Sequence, residues 1–377
     1  MHFAELQALV DTLYEQFHTP VTLTDHRRSL LAYSAQPDDL TDSLRRHSLL
    51  ARALPPSSLV NSQAESLLEP AYVSGDPEHG IFDRYVIPLR HDDVSVGYLY
   101  LIDPNHVIDL TKIAAWAGAF QRAAQLLDGL WQERAHHASV IQLLLSGNSL
   151  QRDLGARESR EHLWPDFGRG ALRVASLVEM SPAGANVPVV PVGLLPRRSL
   201  VGEYGGRLVA IVESPDHADE GDAPLAMIDT FSDRPESWLR AGVGRATPLA
   251  DIHRSFRDSF LALELACSSV APANIVYWET LGTWQYVLSL EREDALSIAD
   301  ARAAAVIRED RQTVRLILGM LAKGASISNL AQEMHLHRTT VYSRLRRVSE
   351  KYGIDFDDPD ERASLLLGLR TQLLYAQ

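Results

Sequence analysis

The stretch Ser326–Tyr352, SISNLAQEMHLHRTTVYSRLRRVSEKY, decides how the chain is read. Ile327, Leu330, Ala331 and Met334 recur at helical spacing, and Ala331 is small enough for a second helix to cross closely. Leu336 then plugs a turn. From about Arg338 to Tyr352, the residues Val341, Leu345, Val348 and Tyr352 form one stripe at steps of four, three and four, which commits that face to packing. Thr339, Ser343, Arg346, Arg347 and Glu350 fall on the opposite side, with Tyr342 on the flank. Two short helices around a tight turn, the second with a polar outer side, form the pattern of a helix-turn-helix.

Charge sharpens that reading. Arg338, Arg344, Arg346, Arg347 and Lys351 are interrupted by Glu350 alone, in a chain of formal charge −13. In isolation such a helix could simply be solvated by its arginines, but a local reversal of sign is what a phosphate footprint requires. Between Asp310 and the C-terminus ten Lys/Arg stand against eight Asp/Glu, a balance of +2 that leaves −15 on the remainder. Residues 308–375 resemble the helix-turn-helix of the PucR/CdaR family of bacterial transcriptional regulators. In that family a run similar to HLHRTTVYSRLRRV precedes a short acidic turn, here Gly353–Pro359, and a last helix, here Asp360–Leu374. Two outward positions depart from the family pattern, which usually has Asn where Thr339 stands and often an aromatic or Arg at Ser343.

The helical wheel and the resemblance together divide the labour. Thr339, Tyr342, Ser343 and Arg346 are candidates for base edges in the major groove; Arg338, Thr340, Arg344, Arg347 and Lys351 are candidates for phosphate contacts that fix register. His335 and His337 flank Leu336 in a turn with no third ligand beside them, so they read as structural or phosphate-contacting, and no metal is expected. The resemblance implies double-stranded DNA as partner, a homodimer or higher homo-oligomer, RNA polymerase as a further partner, and an activator in most relatives. A different reading keeps the same helices as a protein-interaction scaffold for an acidic partner, although a helix-in-groove partner would want an exposed apolar stripe.

Composition bounds the rest. At 377 residues the chain is too long for a single core, and its 46% hydrophobic content suffices for globular folding. One cysteine, Cys267, excludes an internal disulfide. No run of about eighteen apolar residues exists to cross a bilayer. The opening MHFAELQALVDTLYEQF is amphipathic and acidic, unlike a secretory signal, so a cytoplasmic protein with no membrane association is expected.

Upstream, Phe3–Phe17 predicts a first helix, and VTLTD at 21–25 with SLLAYS at 29–34 predicts a hairpin. RYVIPLRHDDVSVGYLYLID at 84–103 reads as two strands about a polar turn at His91–Asp93. This order resembles the GAF/PAS class of sensor domains. The resemblance implies a small-molecule effector held between sheet and helices, with Tyr33, Tyr85, Tyr98 and Tyr100 as liners or as ordinary core residues; nothing in the segment names the effector. Leu110–Ser146 then predicts a long helix whose Ile113, Ala117, Phe120, Ala124, Leu127, Trp131, Arg134, Ala138, Ile141 and Leu145 keep a 3.5-residue repeat. That seam would pair subunits or pack on the first domain.

In the middle region ALRVASLVEM at 171–180, RLVAIVES at 207–214 and PLAMIDT at 224–230 read as strands, and Leu249–Cys267 as an amphipathic helix. The order, and GVGRATPLADIHRSFRDSFLALELA above all, resembles the CdaR-type domain, itself distantly like the GGDEF fold. GEYGGR at 202–207 lacks the adjacent carboxylates of a cyclase and sits where a hairpin turn is expected. GVGR is too short for a dinucleotide fingerprint, and no phosphate loop, HExxH or GxSxG occurs. No catalytic residue and no cofactor are therefore expected, and the protein is read as a non-enzyme. Irregular segments are expected at 54–62, 181–198 and 213–224. The expected architecture is multidomain α+β: a GAF/PAS-like sensor at 1–109, a linking and dimerisation helix at 110–147, a degenerate GGDEF-like α/β domain at 165–290 and an all-α helix-turn-helix at 308–377.

Overall fold

Alternation along the N-terminal strands sets up a sheet with two different faces. A computed structural model describes residues 2–37, 40–51, 63–181, 184–188, 199–214, 239–323 and 326–375. Helix α1 (His2–Phe17) precedes β1 (Val21–Asp25) and β2 (Leu30–Tyr33); α2 (Ser43–Ala51), β3 (Ala71–Val73), β4 (Arg84–His91) and β5 (Val94–Ile102) complete the module. The sheet is antiparallel in the order β2-β1-β5-β4-β3. The β4–β5 hairpin closes where the polar turn was expected, with Asp92 and Asp93 both at positive φ, the geometry whose twist matches the flanking strands. Leu6, Val10 and Leu13 of α1 pack with Val21, Leu23, Ile87, Leu99 and Leu101 in one core.

The expected uninterrupted helix is divided into α3 (Leu110–Ala114) and α4 (Ala117–Leu144). Ala123, Ala124, Leu126, Leu127 and Leu130 join the core of the first sheet. Gly97 makes room there, since a side-chain carbon at that position would collide with the Thr24 carbonyl and with Leu127. Farther along, Ile141 is fully buried and Gly202 lies against Ala138. Ala124, Leu127 and Ile141 of the 3.5-residue seam are thus covered from within the chain, as packing on the first domain requires, while Ala117 stays exposed. A stripe that narrow, with Ala124 and Ala138 in it, fits a sheet as well as it fits a second helix. Of the four tyrosines, Tyr85 belongs to the core under α1 and α4, Tyr98 and Tyr100 to the cluster on the other face, as ordinary core residues do, and Tyr33 is 50% exposed. The period of two sends neighbouring strand positions to opposite sides.

Next come α5 (Ser149–Glu158), β6 (Leu172–Ser181), β7 (Gly184–Asn186), β8 (Leu200–Tyr204) and β9 (Arg207–Glu213). β6 pairs antiparallel with β7 and β9, and β9 with β8. The GEYGGR string is the β8–β9 turn, with Gly205 and Gly206 at φ 59° and 72°. The expected strand at 224–230 and most of the three expected irregular segments lie outside the described residues.

The chain divides into two compact units, Met1–Leu239 with Ala246–His253, and Arg240–Arg245 with Arg254–Gln377. In the second, β10 (Leu239–Val243) pairs in parallel with β11 (Ile275–Tyr277), and α6 (Ile252–Cys267) lies close against it. Gly242 and Gly244, the glycines of GVGR, sit where any side-chain carbon would strike the backbone of α6 at Ser259 and Ser255. Helices α7 (Trp284–Leu288), α8 (Arg292–Ile298), α9 (Ala301–Val306), α10 (Arg311–Lys323), α11 (Ile327–Glu333), α12 (Arg338–Tyr352) and α13 (Pro359–Tyr375) follow. The molecule is mixed α+β with a helical C-terminal region.

Candidate nucleic-acid interface

Helix α12 is fixed from both ends and from beneath. At its start the His337 Nδ1 accepts from the Thr339 N–H, giving that histidine a capping role. At its end Gly353 adopts φ 64°, and its N–H donates to the Ser349 carbonyl. Val341, Leu345 and Val348 are buried with Ala331 of α11, Leu316 and Ile317 of α10, and Leu365 and Leu369 of α13. Ala303 and Val306 of α9 belong to the same core, upstream of residue 308. Ser326 caps α11 by accepting from the Asn329 N–H at 3.2 Å, and Leu336 packs in the turn against the shared core.

The four base-edge candidates come together. Thr339, Tyr342, Ser343 and Arg346 are all exposed on one side of α12, and Tyr342, at 59%, is the most prominent apolar surface there. Arg346 Nε donates to Glu350 Oε1 at 2.7 Å, one turn along, and this contact raises its pKa.

The five phosphate candidates separate into groups. Arg338 is exposed and has no ion-pair partner among the described residues, whereas Thr340 is half-buried in the first turn. Arg344, Arg347 and Lys351 instead meet an acidic pair that the sequence reading did not single out. Lys351 Nζ donates to Glu309 Oε1 at 2.6 Å, the Tyr352 hydroxyl donates to the same oxygen at 2.7 Å, and Arg347 Nη2 lies 3.5 Å from Glu309 Oε2. Asp310 takes Arg344 at 3.3 Å and Arg347 at 3.8 Å while capping α10 through the Gln312 and Thr313 N–H groups. Hydrogen bonds from Lys351 and then Tyr352 hold the Glu309 carboxyl below its ordinary range. For Asp310 the Thr313 hydrogen bonds are the larger cause of the same downward shift. The visible signal was the Arg308-Glu309-Asp310 run just before α10, but only the packed bundle brings it to the C-terminal half of α12.

Comparisons with known proteins bear on the C-terminal and middle regions. Residues 313–371 match the model of the PucR C-terminal helix-turn-helix domain, and residues 192–265 match that of a GGDEF-like domain. No curated protein matches the chain. A solved structure of a regulator of polyketide synthase expression from Bifidobacterium adolescentis is similar at 19% identity, covering 63% of this chain and 97% of that one, with a TM-score of 0.28. At that score the superposition has no bearing on the fold. No helix among the described residues is long and apolar enough to cross a membrane. With a PucR-type helix-turn-helix behind a GGDEF-like domain, the chain has the domain make-up of a DNA-binding transcriptional regulator of PucR/CdaR type.

Proposed function

We propose that the protein activates transcription by placing α12 in the major groove of a promoter, as a homodimer or higher homo-oligomer in the cytoplasm, under control of a small-molecule signal received by residues 1–109. The observation that carries this reading is the shared exposure of Thr339, Tyr342, Ser343 and Arg346 on a helix whose other side is buried. These four contact base edges; Arg338, Thr340, Arg344, Arg347 and Lys351 contact the backbone. One module with so few cations binds weakly, and two on a shared scaffold gain through effective concentration and read two half-sites. The middle domain, about 165–290, serves as a relay and not as an enzyme.

Footprinting on the protein's own upstream region at two salt concentrations, with light scattering of the free protein, tests this. A paired, salt-sensitive protected site and a mass of at least two chains are expected. Lack of any salt-sensitive protection overturns the proposal in favour of an acidic protein partner.

A further inference from the structure

Beyond Leu130 helix α4 changes character. Leu126, Leu127 and Leu130 fill the core of the first sheet, whereas Trp131, Arg134, Ala135 and Ala138, which follow along one side of the helix, border a cavity of about 410 Å³. Buried Pro188, Val201 and Leu208 wall it on the side of the second sheet. Helix and sheet touch where Gly202 lies against Ala138 and Ile141, and toward Trp131 the short alanines leave space between them. A volume of that size falls in the ordinary range of small-molecule sites, about 300–1,000 Å³.

Charge around this space is graded by depth. Arg27, Glu133 and Glu203 are exposed, whereas Arg134 is half-buried. Arg27 reaches from the β1–β2 turn to 3.6 Å from Glu203 on β8, an exposed pairing that water screens. The guanidiniums of Arg27 and Arg134 lie 5.0 and 5.4 Å from the centre of the Trp131 ring. Arg134 Nη1 is 3.6 Å from Asp25 Oδ2, a buried oxygen that accepts no hydrogen bond, while Asp25 Oδ1 accepts from the Ser29 N–H at 2.7 Å. Burial, as the largest cause, pushes that carboxyl up and so weakens the counter-charge of Arg134. His137 lines the same cavity; its Nε2 is buried with no hydrogen-bond partner, and burial first of all lowers its pKa and favours the neutral ring.

We propose that this cavity between α4 and the second sheet is a separate small-molecule site, taking an aromatic monocarboxylate whose acid group meets Arg134 and Arg27 and whose ring lies among Trp131, Pro188, Val201 and Leu208. A guanidinium fork matches a carboxylate in shape and gives it charge-assisted hydrogen bonds. The flat guanidinium and indole groups favour a planar ring over a flexible chain. Glu133 and Glu203 repel a second negative charge, which disfavours phosphates. The site goes beyond the proposed effector site of residues 1–109, because α4 and the second sheet supply most of its walls. An occupant touches the β1–β2 turn, α4 and β8 at once, and so ties the first module to the middle domain.

The full-length protein is titrated calorimetrically with phenylacetate and indoleacetate at constant ionic strength, with their amides as uncharged counterparts, octanoate as a flexible acid and phenyl phosphate as the more highly charged one. At least one aromatic acid binds saturably at one site per chain, at least about tenfold more tightly than its amide, octanoate or phenyl phosphate. Ala135→Leu fills the space from an exposed helical position, and Arg27→Ala removes an exposed cation; each weakens that binding at least about tenfold with thermal unfolding unchanged. Equal binding of the amide, a preference for octanoate or phenyl phosphate, or no response to either aromatic acid overturns the proposal. Binding unchanged in both variants overturns it too, because the acid then sits elsewhere, as in the effector site of residues 1–109. No readout involves DNA, so this site and the proposed promoter recognition fail separately.

Discussion

Replacing Glu309 by glutamine tests whether the recognition helix works against an internal competitor. Its carboxylate holds Lys351 at 2.6 Å and Arg347 at 3.5 Å, two of the cations assigned to the DNA backbone. Carboxylate and phosphate compete for the same N–H groups, so each cation must leave its acid before it counts as a phosphate contact. Glu309→Gln removes the competing charge yet keeps an acceptor for the Tyr352 hydroxyl. Arg347 keeps Asp310 at 3.8 Å, so Lys351 is the cation the variant releases outright, and one added phosphate contact steepens the plot of log affinity against log salt by about 0.9. Over a salt range of about 50 to 200 mM, that slope change is a factor of about three to four in relative affinity. The variant should therefore bind more tightly at the low end and lose that advantage as salt rises. Fluorescence anisotropy with a labelled duplex from the upstream region, across several salt concentrations, reads the slope directly. An unchanged or shallower slope, with thermal unfolding intact, refutes the competition and makes Glu309 a residue that positions α12.

Thr339→Ala should cost about 1–3 kcal/mol of discrimination between specific and scrambled duplex while leaving the salt slope alone, and Arg338→Ala should weaken both duplexes alike and flatten the slope by about one unit; identical behaviour of the two variants would undo the division of labour. Gly242→Ala drives a methyl into the backbone of α6 at Ser259 and Leu263, so denaturant unfolding should show a loss of about 1–3 kcal/mol. No loss would mean that α6 does not lie on β10 as closely as described. Burial, as the largest cause, holds the Asp25 carboxyl above its ordinary value of 3.8. Between that value and the raised one the folded state binds more protons than the unfolded, so this group's contribution falls as pH rises through the window. Denaturant unfolding from about pH 4 to 7 should show a flatter dependence for Asp25→Asn, and an unaltered dependence would remove Asp25 as its source.

Periodic features were legible in the sequence, and contacts between distant segments were not. Val341, Leu345 and Val348 announced the buried side of α12 because helical spacing fixes a direction without reference to any partner. The turns at Asp92–Asp93 and Gly205–Gly206 were readable for a similar local reason, since positive φ favours a short list of residue types. The seam of α4 shows the limit of such reading. Its repeat foretold burial correctly, but a repeat does not say whether a sheet or a second helix does the covering. The candidate base contacts share an exposed side as the wheel placed them, whereas the engagement of Lys351 and Arg347 by Glu309 depends on how α9 and α12 meet in the bundle. The approach of Arg27 to Glu203 was beyond reach for the same reason, one following β1 and the other lying in β8. The glycines of GVGR were noticed and their purpose was not, because it is to admit the backbone of another element.

Helix α4 sets Leu127 over Gly97 of the first sheet and Ala138 over Gly202 of the second, and the two positions lie about three turns apart on nearly the same side of the rod. Inserting one residue between them would swing the far half by about 100° and advance it by about 1.5 Å, so one of the two glycine grooves would have to let go. Relatives that lengthen or shorten this stretch should do so in steps that return the helix to phase, and the spacing between the two sheets is in that sense quantised by the helical turn.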